Sequence, residues 1–302
     1  MKFINTNLKG KPTLVVRKGR SLVNLAVAAP KLPRDLKGIL DMGDKGLAAV
    51  KQAIAKPAKK AIMREAELVH LPPIMNPSKI LCLGVNYADH AKEMKSAKPS
   101  FPVIFARHSS TLVAHNGAMI RPAASEQLDY EAEMVAIIGR PARHVSMDDA
   151  LDYVAGYSCF NDGSIREWQN LSSQWTLGKN FDGTGAFGPE FVTADELPAG
   201  GRGLKISCKL NGKVMQRSNT KLMMFDVAEA ISIISQAMTL YPGDLIVSGT
   251  PGGVGAARKP PVWMKAGDKV EVEVENVGKL VNTIANEAPT PTMLNQQTAP
   301  KI

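Results

Sequence analysis

The sequence predicts an α+β protein that is mainly β, with a small N-terminal domain over residues 1–75 and a larger β-rich domain over 76–302, whose C-terminal tail starts at about 287. Three observations carry this. Short apolar segments of strand length recur along the chain, punctuated by Gly and Pro, while only Phe225 to Leu240 reads as a long helix. Pro57, Pro72, Pro73 and Pro77 break the chain and mark a boundary near 70–78. At 302 residues, with 44% hydrophobic and 22% charged side chains, the chain is long and apolar enough to fold around a core.

The elements follow in order. Thr13–Val16 is a strand, Lys18-Gly19-Arg20 a turn, and Ser21–Val27 a second strand. Residues 35–55 have loose helical amphipathicity. After the proline-rich break, Lys79–Leu83 is a strand ended by Gly84, and a helix follows from about Asn86 to Lys95. Further strands are predicted at 102–106, 129–138, 153–160, 204–210, 244–248 and 269–275.

Several functional classes are excluded. The longest weakly polar stretch, Val227–Leu240, is interrupted by Glu229 and falls short of the ~20 apolar residues a bilayer requires. The first residues lack the apolar core of a secretory signal. Three dispersed cysteines, Cys82, Cys159 and Cys208, form no Cys-x-x-Cys pair and suit a reducing cytoplasm. The net charge of +9 is uneven: residues 1–60 carry 14 basic and 3 acidic side chains, the remainder 23 and 25. No aromatic residues interleave with those lysines to stack on bases, so the basic segment reads as a solvated surface first, with a phosphate-binding footprint, as in a nucleic-acid-binding relative, the alternative.

Three motifs fail on physical grounds. Ser248-Gly249-Thr250-Pro251-Gly252-Gly253-Val254-Gly255 follows a strand, but Pro260 and Pro261 oppose the helix that a nucleotide-binding loop needs. It remains a tight loop whose N–H groups could hold an anion. Gly156-Tyr157-Ser158-Cys159-Phe160 lacks the second glycine of a hydrolase elbow. Glu271, Glu273 and Glu275 alternate with valines, the pattern of a half-exposed strand with solvated carboxylates.

Residues 129–138, Asp-Tyr-Glu-Ala-Glu-Met-Val-Ala-Ile-Ile, behave differently. Both faces look buried, so Glu131 and Glu133 project the same way from an interior strand. Two such carboxylates repel unless neutralised by a metal ion, a basic side chain or a shared proton. Asp162, at the mouth of the strand ending near Phe160, offers a third carboxylate, and an all-oxygen set suits Mg²⁺, Mn²⁺ or Ca²⁺. His90 and Glu93 share a helix face at i, i+3, the arrangement of an oriented general base, although alone it also fits a surface ion pair. Lys179 stands in a glycine-rich stretch and by itself carries no signal.

Together these residues resemble the fumarylacetoacetate hydrolase family, from about Lys79 to Asn282. The matching motifs are Gly84-Val85-Asn86-Tyr87-Ala88-Asp89-His90-Ala91-Lys92-Glu93, Asp129–Glu133, Asn161–Gln169, Lys179–Asp182 with Phe187-Gly188-Pro189, Leu210–Gln216, and Gly249–Gly255. Gly163 and Ile165 stand where the family usually has Val and Ala, and Gly252 where it usually has Ala. The resemblance implies a mixed β-roll catalytic domain, a homodimer, and a divalent ion, Mg²⁺ or Mn²⁺, held by Glu131, Glu133 and Asp162. It implies catalytic roles for His90, Glu93 and Lys179, and substrate contacts from Tyr87, Arg166, Gln169, Gln216 and Thr250. The expected reaction is hydrolytic carbon–carbon cleavage of a 2,4-dioxo acid to a 2-oxo acid and a carboxylic acid. Oxaloacetate-type decarboxylation, or hydration or isomerisation of a 2-oxo acid, is the alternative on the same scaffold.

Overall fold

The computed structural model describes residues 1–93 and 100–289, and its centre is the strand Ala132–Ile138, buried at every position. The far end of the predicted helix 86–95 and all of the predicted tail beyond 289 lie outside the described residues. The chain begins with β1 (Lys2–Leu8), β2 (Lys11–Lys18), β3 (Ser21–Asn24), helices α1 (Leu25–Ala28), α2 (Leu36–Asp41) and α3 (Asp44–Ala53), and β4 (Ile62–Met63). Next come β5 (Ile80–Gly84), α4 (Ala88–Glu93), β6 (Val103–Arg107), β7 (Leu112–Val113), β8 (Ala118–Arg121), β9 (Leu128–Asp129) and β10 (Ala132–Ile138). They are followed by β11 (Val154–Asp162), β12 (Ser164–Ile165), α5 (Arg166–Gln169), α6 (Thr176–Lys179), β13 (Gly185–Thr193), β14 (Lys205–Leu210) and β15 (Lys213–Asn219). Helix α7 (Val227–Ala237) and strands β16 (Leu245–Val247), β17 (Lys269–Val274) and β18 (Gly278–Asn286) complete the described chain.

The protein is mainly β, as the sequence predicts. An eleven-stranded sheet runs β4-β3-β2-β1-β13-β11-β10-β16-β5-β6, with β7 paired to β13, and packs on a five-stranded sheet ordered β15-β14-β17-β18-β8. Strand β10 lies inside the large sheet, and its two faces serve two cores. Ala132, Met134, Ala136 and Ile138 join the cluster that includes Val270, Val272 and Val274 of β17. Val135 and Ile137 join the other, with Phe3, Val16, Ile39 and Val50. Burying each large apolar side chain contributes about 1.5–3 kcal/mol, so a strand packed on both faces is a rigid mount for Glu133. Segment 1–75 is continuous with this sheet: β1 pairs with β13, and its apolar residues share the second core.

Four local readings change. Strand β1 was not anticipated, although it forms a local hairpin with β2 from Lys2 opposite Arg17 to Leu8 opposite Lys11; only its first residues also pair with β13. The predicted strand 21–27 stops at Asn24, whose side chain accepts the Ala26 N–H and starts α1. The predicted helix 35–55 is two helices broken at Gly43, where φ is +61°. The predicted strand 129–138 splits, with Tyr130 and Glu131 between β9 and β10.

All three cysteines are free and buried. Among the described residues no helix is long and apolar enough to cross a membrane.

His70 and His115 meet edge to face with centroids 4.7 Å apart. Burial, reinforced by the His70 charge, pushes His115 down to about 4, and burial also lowers His70. The neutral form of His115 is built in, since its Nδ1 accepts the Val281 N–H at 3.0 Å. These folded-state values lie below the unfolded value near 6.5, so the unfolded chain binds more protons and stability falls as pH drops from about 6.5 towards 4. Allowing for solvent screening of the half-buried ring, His115 should cost about 1–2 kcal/mol across that window. His115→Gln, which can still accept from Val281, should flatten the dependence of the urea midpoint on pH below 6.5. An unchanged slope would refute the assignment.

Candidate active site

The register of β10 against β11 brings the carboxylates together. Glu133 lies opposite Phe160, and Asp162 follows two residues later on the same face. Glu131 sits just ahead of β10, its N–H bonded to Asn161 Oδ1 at 3.0 Å and its carbonyl accepting the Asp162 N–H at 3.0 Å. The carboxylates of Glu131, Glu133 and Asp162 offer oxygen atoms all within 4.8 Å of one another, and all three residues are buried.

Three cations surround them. Lys179 Nζ spans Glu131 Oε2 at 2.7 Å and Asp162 Oδ2 at 2.5 Å. Arg107 Nη1 contacts Asp162 Oδ1 at 2.5 Å. Arg166 joins Asp129 Oδ2 at 2.8 Å to Glu131 Oε1 at 2.6 Å. Arg107 was missed from sequence: a single arginine at the end of an apolar strand matches no motif.

Glu133 is the exception. Its Oε2 accepts the Gly249 N–H at 2.6 Å, and among the described residues no cation forms an ion pair with it. Burial and the charges of Asp162 and Glu131 therefore push its carboxyl well above the usual range. Burial also opposes ionisation of Glu131, but Lys179 and Arg166 outweigh it and hold the carboxyl down to about 2. Burial likewise works against the Lys179 ammonium, and Asp162 and Glu131 outweigh it, keeping its pKa above the ordinary lysine value.

Four carboxylates, with Asp129, thus face three cations, and the excess negative charge rests on Glu133. That charge and the all-oxygen donor set fit a hard divalent cation. With the ion, Glu131, Glu133, Asp162 and their partners would carry one net positive charge, which favours an anionic ligand.

The loop after β16 does bind anions through its N–H groups, as its composition suggested, but they are the protein's own. Gly249 holds Glu133, Gly253 holds both Glu93 oxygens at 3.0 Å, and Gly255 and Ala256 hold Asp129 at 2.7 and 3.0 Å. At Gly253 φ is +101°, and a Cβ would come within 2.4 Å of Met215 O, so the loop requires glycine there. Gln216 and Thr250 tie the loop to β10: Gln216 donates to Thr250 Oγ1 at 2.8 Å and accepts the Ala132 N–H at 2.9 Å, and Thr250 Oγ1 donates to Ala132 O at 3.0 Å.

His90 Nδ1 lies 3.1 Å from Glu93 Oε2, and the imidazole is buried. Asp89 anchors the same helix through Ser218 Oγ at 2.7 Å and the Gly252 N–H at 3.4 Å. A cavity of about 140 Å³ joins these groups. His90, Glu131, Glu133, Asp162, Arg166, Gln169, Lys179 and Thr250 line one part of it, and Leu83, Phe105, Trp175 and Val254 another. Tyr87, Gln216 and Glu93 are not in its lining: Tyr87 is wholly buried, Gln216 supports the loop, and Glu93 stands behind His90.

Of the two glycines that depart from the resemblance, Gly163 is explained locally and Gly252 is not. A Cβ at Gly163 would lie 2.2 Å from Thr184 O and 2.8 Å from Met119 Cε. At Gly252 it would meet only ordinary contacts of 3.5–3.6 Å. Gly163→Ala should therefore lower stability by about 1–3 kcal/mol in urea unfolding. Gly252→Ala should stay within about 0.5 kcal/mol of the wild type. Equal midpoints for the two variants would contradict the close approach at Gly163.

Comparisons with known proteins agree with this geometry. The family model described as fumarylacetoacetate (FAA) hydrolase C-terminal matches residues 79–285. A mitochondrial oxaloacetate tautomerase of Rattus norvegicus is 39% identical over 267 residues, covering 88% of this chain and 84% of its own. Among solved structures, the fumarylacetoacetate hydrolase of Exiguobacterium antarcticum superposes with TM-score 0.83 at 31% identity, over 95% of this chain and 100% of its own. A maleylpyruvate hydrolase from Sphingobium sp. SYK-6, in complex with manganese(II) and pyruvate, superposes with TM-score 0.78 at 25% identity, again over 95% and 100%.

Proposed function

This chain belongs to the fumarylacetoacetate hydrolase family, and on that premise we propose that it is a divalent-metal-dependent enzyme that enolises a small 2-oxo dicarboxylic acid of the oxaloacetate type, interconverting its keto and enol forms. The observation that carries this reading is the excess charge on Glu133 beside a small cavity. A cavity of about 140 Å³ is small for a ligand site, which suits a short oxo acid.

Bound Mg²⁺ or Mn²⁺, held by Glu131, Glu133 and Asp162, would polarise the 2-oxo group and lower the cost of placing negative charge on its oxygen. His90, oriented by Glu93 through Nδ1, takes the proton from C3 as the C2=C3 bond forms, and the C2 oxygen takes up a proton to give the enol; ketonisation reverses both transfers. Lys179 offsets charge developing beside Glu131 and Asp162. Gln169, whose Oε1 is taken by Arg166, offers its amide N–H groups to a substrate carboxylate. The reading includes a cytoplasmic-type reducing environment, supported by three free buried cysteines, and a homodimer, which light scattering of the purified protein would test.

A second reading, hydrolysis of a short 2,4-dioxo acid, is favoured by the same dyad: His90 with Glu93 could activate water for attack on the second carbonyl. One experiment separates the two. With Mg²⁺ present, loss of the enol absorbance of oxaloacetate is followed beside pyruvate release from oxaloacetate and acetylpyruvate. Faster ketonisation without pyruvate supports the first reading, and pyruvate from acetylpyruvate supports the second. Acceleration of neither refutes both.

A further inference from the structure

The apolar part of the cavity is built around Trp175. Its indole lies on the backbone of Gly84 so closely that a Cβ there would fall 2.4 Å from Cζ3 and 3.0 Å from Cη2. Phe105 meets the indole edge on, with ring centroids 5.4 Å apart, and Lys179 Nζ lies 5.1 Å from the centroid of Phe105. Trp175 also precedes the single-turn helix α6 that ends in Lys179, and its carbonyl accepts the Lys179 N–H at 3.1 Å. The wall facing the carboxylates is thus fixed to the residue that bridges Glu131 and Asp162. Leu171 and Leu177, near Trp175 in sequence, are exposed, and neither lines the cavity.

We propose that Trp175 limits substrate length on the apolar side of the cavity: seated on Gly84 and against Phe105, it blocks a 2-oxo acid whose tail runs more than a few carbons towards it. This rests on the reading of the site as one for 2-oxo acids. Gly84 is required because only a residue without a Cβ lets the indole lie flush on the strand end. Removing the indole frees the space against Gly84 and Phe105, and a longer apolar tail then gains contacts where the wild type offers a clash. One methylene too many in a closed apolar pocket typically costs about tenfold or more in discrimination.

The test uses N-alkyl oxamates, which keep the oxalyl head and vary the tail from methyl to hexyl, titrated calorimetrically into the full chain with Mg²⁺. In the wild type, affinity should fall about tenfold or more from methyl to hexyl. In Trp175→Ala the trend should reverse, with Trp175→Leu between the two. Leu177→Ala, on the outer surface of α6, should keep the wild-type trend. The same length dependence in wild type and both Trp175 variants would overturn the inference while leaving the 2-oxo acid reading standing. Failure of unsubstituted oxamate to bind the wild type would overturn both.

Discussion

Glu133→Gln should yield a protein more stable than the wild type without metal and nearly inert with it. Glu133 is buried, repelled by Asp162 and Glu131, and without a paired cation, whereas a glutamine at the same volume still accepts the Gly249 N–H and donates to its acidic neighbours. Because its folded carboxyl titrates well above the unfolded one, the unfolded chain releases the proton first, and Glu133 costs stability as pH rises past the ordinary carboxyl range near 4.5. The variant's advantage, about 1–3 kcal/mol at neutral pH, should therefore vanish in acid, where Glu133 is protonated in both states. Metal binding should respond in the opposite sense. Loss of one of three carboxylates should remove most of the stabilisation that Mg²⁺ gives the wild type, and turnover should fall by about 10³, the equivalent of roughly 4 kcal/mol. A chelator should abolish wild-type activity, with recovery on adding Mg²⁺ or Mn²⁺. Glu273→Gln is the control: Glu273 is half-exposed, 3.5 Å from Lys279, and its loss should change neither quantity. Thermal melts with and without Mg²⁺ at pH 4 and pH 7 check each part. A metal-free variant less stable than the wild type at pH 7 would show that Glu133 is not the uncompensated charge.

The properties of Glu133 explain why this site was largely legible in sequence. A run apolar on both faces can only be an interior strand, and carboxylates on such a strand need an explanation that those of β17 do not. The break at Tyr130–Glu131 was not legible. It arises because Asp129 turns back to bond Arg166 and the N–H groups of Gly255 and Ala256, contacts more than 30 positions away. Arg107 was invisible for the same reason: its partners, Asp162 and Thr184, are set by sheet order and not by spacing. The glycine loop shows a third limit. Its composition announced N–H groups aimed at an anion, but only the fold reveals that the anions are Glu93, Glu133 and Asp129, so that one loop fixes the partner of His90, the unpaired carboxyl and the anchor of Arg166 together.

That shared loop gives the second large expectation. His90→Ala should lower ketonisation of enol-oxaloacetate, and any hydrolysis of acetylpyruvate, by roughly 10²–10⁴, the usual worth of a positioned acid–base group. Decarboxylation of oxaloacetate needs chiefly an electron sink beside the 2-oxo group, so it should suffer less, whereas Glu133→Gln should damage every reaction. Glu93→Gln should be milder than His90→Ala. A glutamine can still accept from Gly253 and from the imidazole, but it offers no negative charge to stabilise the imidazolium that forms when His90 takes a proton. The loss should accordingly appear in kcat more than in KM, because the charge matters only once the proton has moved. Steady-state kinetics of wild type and the three variants on both substrates decide the matter. If His90→Ala retains full ketonisation and hydrolysis, the imidazole is not the base, and an enzyme limited to metal-assisted decarboxylation becomes the better description.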